Sequence, residues 1–192
     1  MKKLALIGAV VAAFSFTAPA QAADQQIYYK ASPAYNWTGF YAGAHIGYGF
    51  GDAIAGGVGA EIDGFFGGGQ LGYNWQFNRN WVFGIETDLS ASDMGVGVLN
   101  VDWFGSTRVR LGYAMDRTLF YGTVGIGYAG TNFSSGHLGG VYGLGVEWAF
   151  SRNWTAKVEY LYYDLGDEVL PLFVAPVSLE FSTVKLGVNY RF

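Results

Sequence analysis

Residues 144–164, LGVEWAFSRNWTAKVEYLYYD, consist of two amphipathic segments separated by a short polar turn. In each segment every second residue is apolar, and these residues form one face with aromatic side chains close to the turn. The residues between them are small or charged and form the other face. An alternation with a period of two residues predicts β-strands, so residues 151–153 are predicted to be the turn of a hairpin. An apolar face that is rich in aromatic residues near the turn is typical of a membrane β-barrel with an interfacial girdle.

The same hairpin occurs a second time in the chain. Residues 71–86, LGYNWQFNRNWVFGIE, match residues 144–159 at a constant offset of 73. Flanking segments also repeat: residues 41–48 at an offset of 80 and residues 109–112 at an offset of 75. Because the offset differs between segments, we expect equivalent strands that are joined by loops of different length. A unit of four strands used twice predicts an all-β fold, an eight-stranded antiparallel transmembrane β-barrel.

The start of the chain has the features of a secretory signal peptide. Lys2 and Lys3 precede an apolar run from Leu4 to Phe16, and Ala20-Gln21-Ala22 has the pattern of a cleavage site. The apolar run is too short for a membrane-spanning helix. We therefore predict a signal peptide over residues 1–22, a periplasmic segment over residues 23–36 and the barrel over residues 37–192.

The remaining composition restricts the classes of function. Without the two signal-peptide lysines the chain has nine basic and fifteen acidic residues, a balance that disfavours nucleic acid as a partner. The absence of cysteine excludes disulfides and thiol chemistry. No Ser–His–acid constellation is evident, so we predict that the protein is not an enzyme, and we predict no cofactor.

Short and long connections alternate between the predicted strands. The short ones, residues 78–80, 114–117 and 151–153, each contain an arginine. The long ones, predicted as loops over residues 51–65, 92–100, 129–139 and 165–177, contain no lysine or arginine. Short periplasmic turns opposite longer extracellular loops are expected of an outer-membrane barrel whose two termini lie in the periplasm.

Four segments of the chain resemble one known family. They are WTGFYAG at residues 37–43, VEWAF at 146–150, NWTAKVEYLYYDLG at 153–166 and KLGVNYRF at 185–192. The chain resembles the small porin-like outer-membrane β-barrel proteins of alphaproteobacteria, the class with the 25- and 31-kilodalton major outer-membrane proteins. The resemblance implies a β-barrel in the bacterial outer membrane, in contact with its lipid and lipopolysaccharide. Members are described as envelope-stabilising, porin-like, adhesive or haem-binding.

Alternation along the strands assigns a set of charged side chains to the barrel interior, or lumen. The predicted lumenal charge network contains Glu86, Asp88, Arg108, Arg110, Glu147, Lys157, Glu159, Lys185 and Arg191, and the same alternation places Asp102 inside. Glu147 and Lys157 are equidistant from the hairpin turn, so we expect them to lie opposite each other and to form an ion pair. A barrel of eight strands is just wide enough to be filled by side chains, which favours a filled lumen. Lumenal glycines such as Gly72, Gly127 and Gly145 remove volume, which leaves a narrow porin-like channel as the alternative.

Aromatic residues that face outward near the short turns form the predicted interfacial girdle. They are Trp75, Phe77, Trp81, Trp148, Phe150, Trp154, Tyr190 and Phe192. The terminal Phe192 also resembles the signal that the barrel assembly machinery recognises.

Two further site hypotheses concern the predicted loops and the histidines. Asp164, Asp167 and Glu168 form either an ordinary solvated surface or a site for divalent cations that bridge lipopolysaccharide phosphates. His45 and His137 are candidate haem ligands, although a lone histidine is more often an ordinary polar side chain. The predicted function is a structural surface protein that contributes to envelope integrity. The alternatives are a narrow channel for ions or small solutes, an adhesin or a haem-binding protein, and the sequence predicts no oligomeric state.

Overall fold

The computed structural model describes residues 35–55, 58–96, 99–131, 134–169 and 176–192. Side chains are described for residues 35–51, 62–93, 102–130, 138–165 and 180–192. The predicted signal peptide and most of the predicted periplasmic segment lie outside these ranges. Among the described residues no helix is long and apolar enough to cross a membrane.

Eight antiparallel strands form a closed barrel. Each strand pairs with the next along the chain, and β1 also pairs with β8, which closes the sheet. The prediction of an eight-stranded antiparallel barrel is therefore confirmed. The strands are β1 (Gly39–Ala55), β2 (Val58–Phe77), β3 (Trp81–Val96), β4 (Leu99–Met115), β5 (Thr118–Thr131), β6 (Ser134–Ala149), β7 (Trp154–Val169) and β8 (Pro176–Arg191).

The alternation in the sequence separates the two faces of every strand. On β1, for example, Phe40 and Ile46 are exposed on the outer face, while Tyr41 and His45 are buried in the lumen. An outer face of large apolar residues is unfavourable in water and suits lipid. We call one end of the barrel the turn end, because it has the three short connections, the start of β1 and the end of β8. The opposite end is the loop end.

The strands are longer than the sequence predicted, so the predicted bounds of the long loops are wrong. The pairing of β1 with β2 continues to Ala55 and Val58, through most of the segment predicted as a loop over residues 51–65. The high glycine content of this segment suggested a loop, but Gly51 lies in β1 and makes room for close packing. A β-carbon added at Gly51, for instance, would lie 2.6 Å from the β-carbon of Phe181 on the adjacent strand.

Register shifts interrupt the pairing only in the half of the barrel near the loop end, as far as the structure describes it. One of them lies between Val101 and Trp103. The residue between these two, Asp102, is exposed, so its predicted position in the lumen is wrong. A bulge adds one residue to a strand and thereby breaks the simple alternation on which the prediction depended.

Apolar side chains fill the lumen at both of its ends. The loop-end cluster contains Ile62, Phe66, Phe104, Ala129, Val141, Leu161, Tyr163, Leu165 and Phe181. The turn-end cluster contains Trp37, Val82, Ala114, Leu119, Tyr121 and Ala149, with Tyr35 packed against it. Between the two clusters lies a layer of charged side chains.

Candidate functional site

Eight charged side chains form a belt inside the barrel. We use the term charged belt for Glu86, Asp88, Glu147, Glu159, Arg108, Arg110, Lys157 and Lys185, whose side chains are at most 3% exposed. Four of them are acidic and four are basic, so the belt has no net formal charge. All eight belong to the predicted lumenal charge network.

Glu86 on β3 contacts three cations of the belt. Its Oε1 lies 2.6 Å from Arg108 Nη2 and 2.6 Å from Lys157 Nζ, and its Oε2 accepts a hydrogen bond of 2.7 Å from Tyr41 Oη. Arg110 Nη1 is 3.6 Å from Oε2. One carboxylate thus joins side chains from β1, β4 and β7 across the lumen.

Arg108 and Lys185 extend the network toward the loop end. Arg108 contacts Asp88 at 2.8 Å and Glu159 at 3.2 Å, in addition to Glu86. Lys185 Nζ lies 2.9 Å from Asp88 and 3.1 Å from Glu159. Each of these buried carboxylates therefore has more than one cationic partner, which is the condition under which buried charges are tolerated.

Arg110 is held between two tyrosine rings. Its guanidinium carbon lies 4.8 Å from the ring centre of Tyr41 and 5.1 Å from that of Tyr121, distances typical of cation–π contacts. Its Nη1 is 3.0 Å from Glu147, and its Nε donates a hydrogen bond of 2.9 Å to Asn74. Arg110 thereby connects the belt to the turn-end cluster, to which Tyr121 belongs.

The predicted ion pair between Glu147 and Lys157 is wrong, although the two residues lie opposite each other in the register of β6 and β7. Lys157 points across the lumen to Glu86, while Glu147 contacts Arg110 and accepts a hydrogen bond of 2.5 Å from Thr155. In a closed barrel, long side chains reach partners on other strands as easily as the cross-strand neighbour.

The lumenal glycines accommodate large side chains, so the expectation that they leave a wet path is not supported at these positions. A β-carbon added at Gly145 would lie 2.5 Å from the ring of Tyr121, and one at Gly72 would overlap the ring of Tyr41. One at Gly127 would lie 2.9 Å from the ring of Tyr163. The absence of side chains at these three positions provides space for the tyrosines of the lumen.

Trp37 closes the lumen at the turn end. Its side chain is completely buried, and its backbone N–H donates a hydrogen bond of 2.7 Å to the side chain of Gln76. Tyr35 packs edge-to-face on it, with ring centres 4.9 Å apart. The guanidinium of Arg191 lies 4.9 Å from the centre of the Tyr35 ring and 5.6 Å from that of Trp37. Arg191 is therefore in the lumen as predicted by alternation, but it contacts this aromatic cap and not the charged belt.

His45 is buried in the lumen with both ring nitrogens engaged. Nδ1 is 2.6 Å from Gln70 Oε1, and Nε2 is 2.8 Å from Ser90 Oγ. This environment disfavours the predicted role of His45 as a haem ligand, because iron would have to displace one of these bonds inside a packed lumen. The side chain of the other candidate, His137, lies outside the described residues.

The carboxylate hypothesis at the loop end stays a prediction. Asp164 is exposed, and the side chains of Asp167 and Glu168 lie outside the described residues. The described side chains contain no group of three acidic or histidine residues placed to hold a metal ion.

The eight predicted girdle residues lie on the outer face near the turn end. Seven are exposed and Phe77 is half-buried. A second set of exposed aromatic residues was not predicted as a girdle; it lies nearer the loop end than the first set and includes Tyr48, Trp103 and Tyr142. On β4, Trp103 and Tyr113 are ten residues apart, which corresponds to roughly 26 Å along the barrel axis at ~3.4 Å per residue and a tilt of ~40°. This distance matches the hydrocarbon layer of an outer membrane.

A comparison of the chain with known families gives the same result as its geometry. Residues 8–192 match the model of the outer membrane protein β-barrel domain. The chain belongs to this family. Its bacterial outer-membrane location follows from that membership and from the names of its relatives.

Two relatives belong to the class that the four quoted segments resemble. The 31 kDa outer-membrane immunogenic protein of Brucella melitensis is 34% identical over 92% of this chain and 95% of its own length. The 25 kDa outer-membrane immunogenic protein of Brucella abortus is 29% identical over 100% of this chain and 99% of its own. This confirms the predicted family. The protein is thus an outer-membrane surface β-barrel protein.

A solved structure shares the fold of this outer membrane protein β-barrel. The crystal structure of Neisserial surface protein A has a TM-score of 0.56 with 18% identity, and the match covers 81% of this chain and 98% of that protein. At this identity the similarity concerns the fold alone.

Proposed function

We propose that this protein is a structural barrel with a filled, non-conducting lumen that contributes to the integrity of the bacterial envelope. The observation that carries the proposal is the occupation of the lumen at three successive levels. The loop-end cluster and the charged belt each bring side chains from several strands into contact, and the aromatic cap of Tyr35 and Trp37, with Arg191 packed on it, covers the turn end.

The charged belt supports this proposal through its energetics. A permeating ion would have to separate buried ion pairs such as Lys157 with Glu86, and removal of one partner of a buried pair typically costs about 3–5 kcal/mol. The aromatic packing supports it further. Tyr163 and Phe181 stack with ring centres 4.6 Å apart, and Phe104 packs edge-to-face on both. A barrel with these layers resists deformation and resists solute flow.

Planar lipid bilayers test the proposal directly. We expect the refolded wild-type protein to insert without stable conductance steps, because the three layers exclude a continuous water path. Insertion is verified independently by protease protection of the same preparation. Reproducible steps that change in size in Lys157→Ala or Glu159→Ala would contradict a filled lumen, since both side chains belong to the charged belt.

A narrow porin-like channel is the second candidate, and one specific observation favours it. Several buried polar atoms of the belt have no hydrogen-bond partner, namely Asp88 Oδ1, Arg108 Nε and Arg110 Nη2. Buried polar atoms are normally satisfied by protein or by ordered water, so these atoms indicate sites for water molecules within the belt. Conductance in the experiment above would select this candidate.

We also infer that the end of β8 interacts with the barrel assembly machinery. Phe192 is 78% exposed and packs edge-to-face on Tyr190, with ring centres 5.3 Å apart. Deletion of Phe192 should strongly reduce the amount of folded barrel in the outer membrane of cells, because the exposed aromatic residue that follows β8 is lost. The measurement is the folded fraction in isolated outer membranes. Tyr113→Ala is the control, because it removes an outward aromatic residue of β4 near the same end of the barrel. Equal accumulation of the deletion variant and the wild type would contradict the inference.

A further inference from the structure

A shallow apolar groove crosses four strands on the outer face of the barrel. Its volume is about 610 Å³, within the range of about 300–1,000 Å³ that is typical of small-ligand pockets. Small residues on β1 and β7 form its floor, and larger apolar side chains form its walls. The outward residues that line it are Ala44, Ile46, Trp148, Ala156, Val158, Leu186 and Val188.

The groove follows one row of cross-strand neighbours. Trp148 pairs with Ala156, Ala156 with Val188, and Val188 with Ala44. Three gaps between strands of ~4.8 Å give this row a length of roughly 14 Å. The next row toward the loop end, with Val158, Leu186 and Ile46, is bulkier and forms one wall.

The groove runs obliquely from the membrane interface at the turn end toward the middle of the hydrocarbon layer. Trp148 lies one residue from the end of β6, and Ala156 lies two residues from the start of β7. Val188 lies three residues from the end of β8, and Ala44 lies five residues from the start of β1. The depth therefore increases at each strand, as it would along an acyl chain whose headgroup stays at the turn end.

The shallow end of the groove has the chemistry of a headgroup site. Arg152 is exposed in the turn between β6 and β7, four residues after Trp148 along the chain. The exposed rings of Trp154 and Tyr190 pack edge-to-face, 5.1 Å apart, on the turn-end side of the row. A guanidinium binds phosphate oxygens through two parallel hydrogen bonds, and indole and phenol rings favour the level of the headgroups.

We propose that this groove is a binding site for one phospholipid of the periplasmic leaflet. The acyl chain lies along the row from Trp148 to Ala44, and the phosphate of an anionic headgroup contacts Arg152. Charge complementarity carries the choice of occupant. Outside the lumen, the basic residues of the barrel are Arg79, Arg117 and Arg152, all in the short turns. Arg152 lies in the turn that joins the two strands at the shallow end of the groove, and the backbone oxygen of Arg117 accepts a hydrogen bond from Ala149, next to Trp148. The short turns face the periplasm in barrels of this class, where the leaflet contains phospholipid.

Native mass spectrometry of the refolded protein, released from lipid nanodiscs, tests this site. The nanodiscs contain equal amounts of phosphatidylglycerol and phosphatidylethanolamine with identical acyl chains. We expect one retained phospholipid per barrel, with phosphatidylglycerol preferred about fivefold, the effect of one arginine near an anionic lipid surface. Arg152→Gln should abolish the headgroup preference, and Ala156→Phe, which fills the floor, should abolish retention of either lipid.

Two matched variants control for general effects of charge and bulk. Arg79→Gln removes a cation from the turn between β2 and β3, two strands that do not line the groove, and Ala91→Phe adds a ring at an exposed outward alanine away from the groove. Both should retain lipid as the wild type does. An equal loss of preference in Arg79→Gln, or unchanged retention in Ala156→Phe, would overturn the site. Two other outcomes would overturn the choice of occupant. One is retention of added lipid A in place of phospholipid. The other is a dimer of the barrel that is lost in Ala156→Phe.

Discussion

Glu86→Gln should reduce the free energy of unfolding by about 3–5 kcal/mol, the range observed when one partner of a buried ion pair is removed. The substitution keeps the size of the side chain but removes the charge that Arg108 and Lys157 share. The belt then has four cations and three anions in a lumen from which water is largely excluded. The measurement is unfolding by urea in detergent micelles, followed by tryptophan fluorescence.

Two variants separate this effect from a general response to the loss of a carboxylate. Glu180→Gln removes an exposed outward carboxylate, which accepts a hydrogen bond of 2.7 Å from Tyr162, and should change stability by no more than about 0.5 kcal/mol. Glu86→Gln combined with Lys157→Met restores the neutrality of the belt and should recover part of the loss. If the double variant is less stable than Glu86→Gln alone, charge balance is not the cause.

The architecture could be predicted because it depends on local alternation. In the hairpin around residues 151–153, each residue's position relative to the turn determines its face and its cross-strand neighbour. The second copy of that hairpin then determined the number of strands. For the same reason the charged residues of the belt could be assigned to the lumen one by one.

The partners within the lumen could not be predicted from alternation. Lys157 has Glu147 as its cross-strand neighbour but contacts Glu86 on β3, which is far from β7 in the order of strands. Such contacts depend on barrel closure and on the length of each side chain. Trp37 was missed as a lumenal residue because it precedes β1, where no alternation indicates the direction of its side chain.

Strand ends were predicted poorly near the loop end because two local signals conflict there. Glycine and carboxylates favour turns, whereas the antiparallel ladder continues wherever both backbones can keep their hydrogen bonds. The pairing of β1 with β2 up to Ala55 and Val58 shows that the ladder prevails. The loop-end cluster explains this outcome, since Ile62, Phe66 and Phe181 bury apolar surface only if the strands extend beyond the membrane.

Trp37→Ala should have the second large effect, a loss of about 3–5 kcal/mol in the free energy of unfolding, as is usual when a buried tryptophan is truncated. Trp37 is completely buried and carries both the ring of Tyr35 and the guanidinium of Arg191. Its removal opens the lumen at the turn end to water. Hydrogen exchange should therefore become faster at the backbone N–H groups of Ala114 and Ala149, which close the adjacent turns through bonds to Asn80 and Arg117.

Trp75→Ala is the matched control for this substitution. Trp75 is 59% exposed on the outer face of β2, so its ring contacts lipid and packs less against protein than that of Trp37. We expect a smaller loss of stability and no change in exchange at Ala114 and Ala149. Equal losses in the two variants would show that Trp37 acts only as an interfacial aromatic residue. A large loss with faster exchange in Trp37→Ala alone would establish that residues preceding the first strand complete the packing of the lumen.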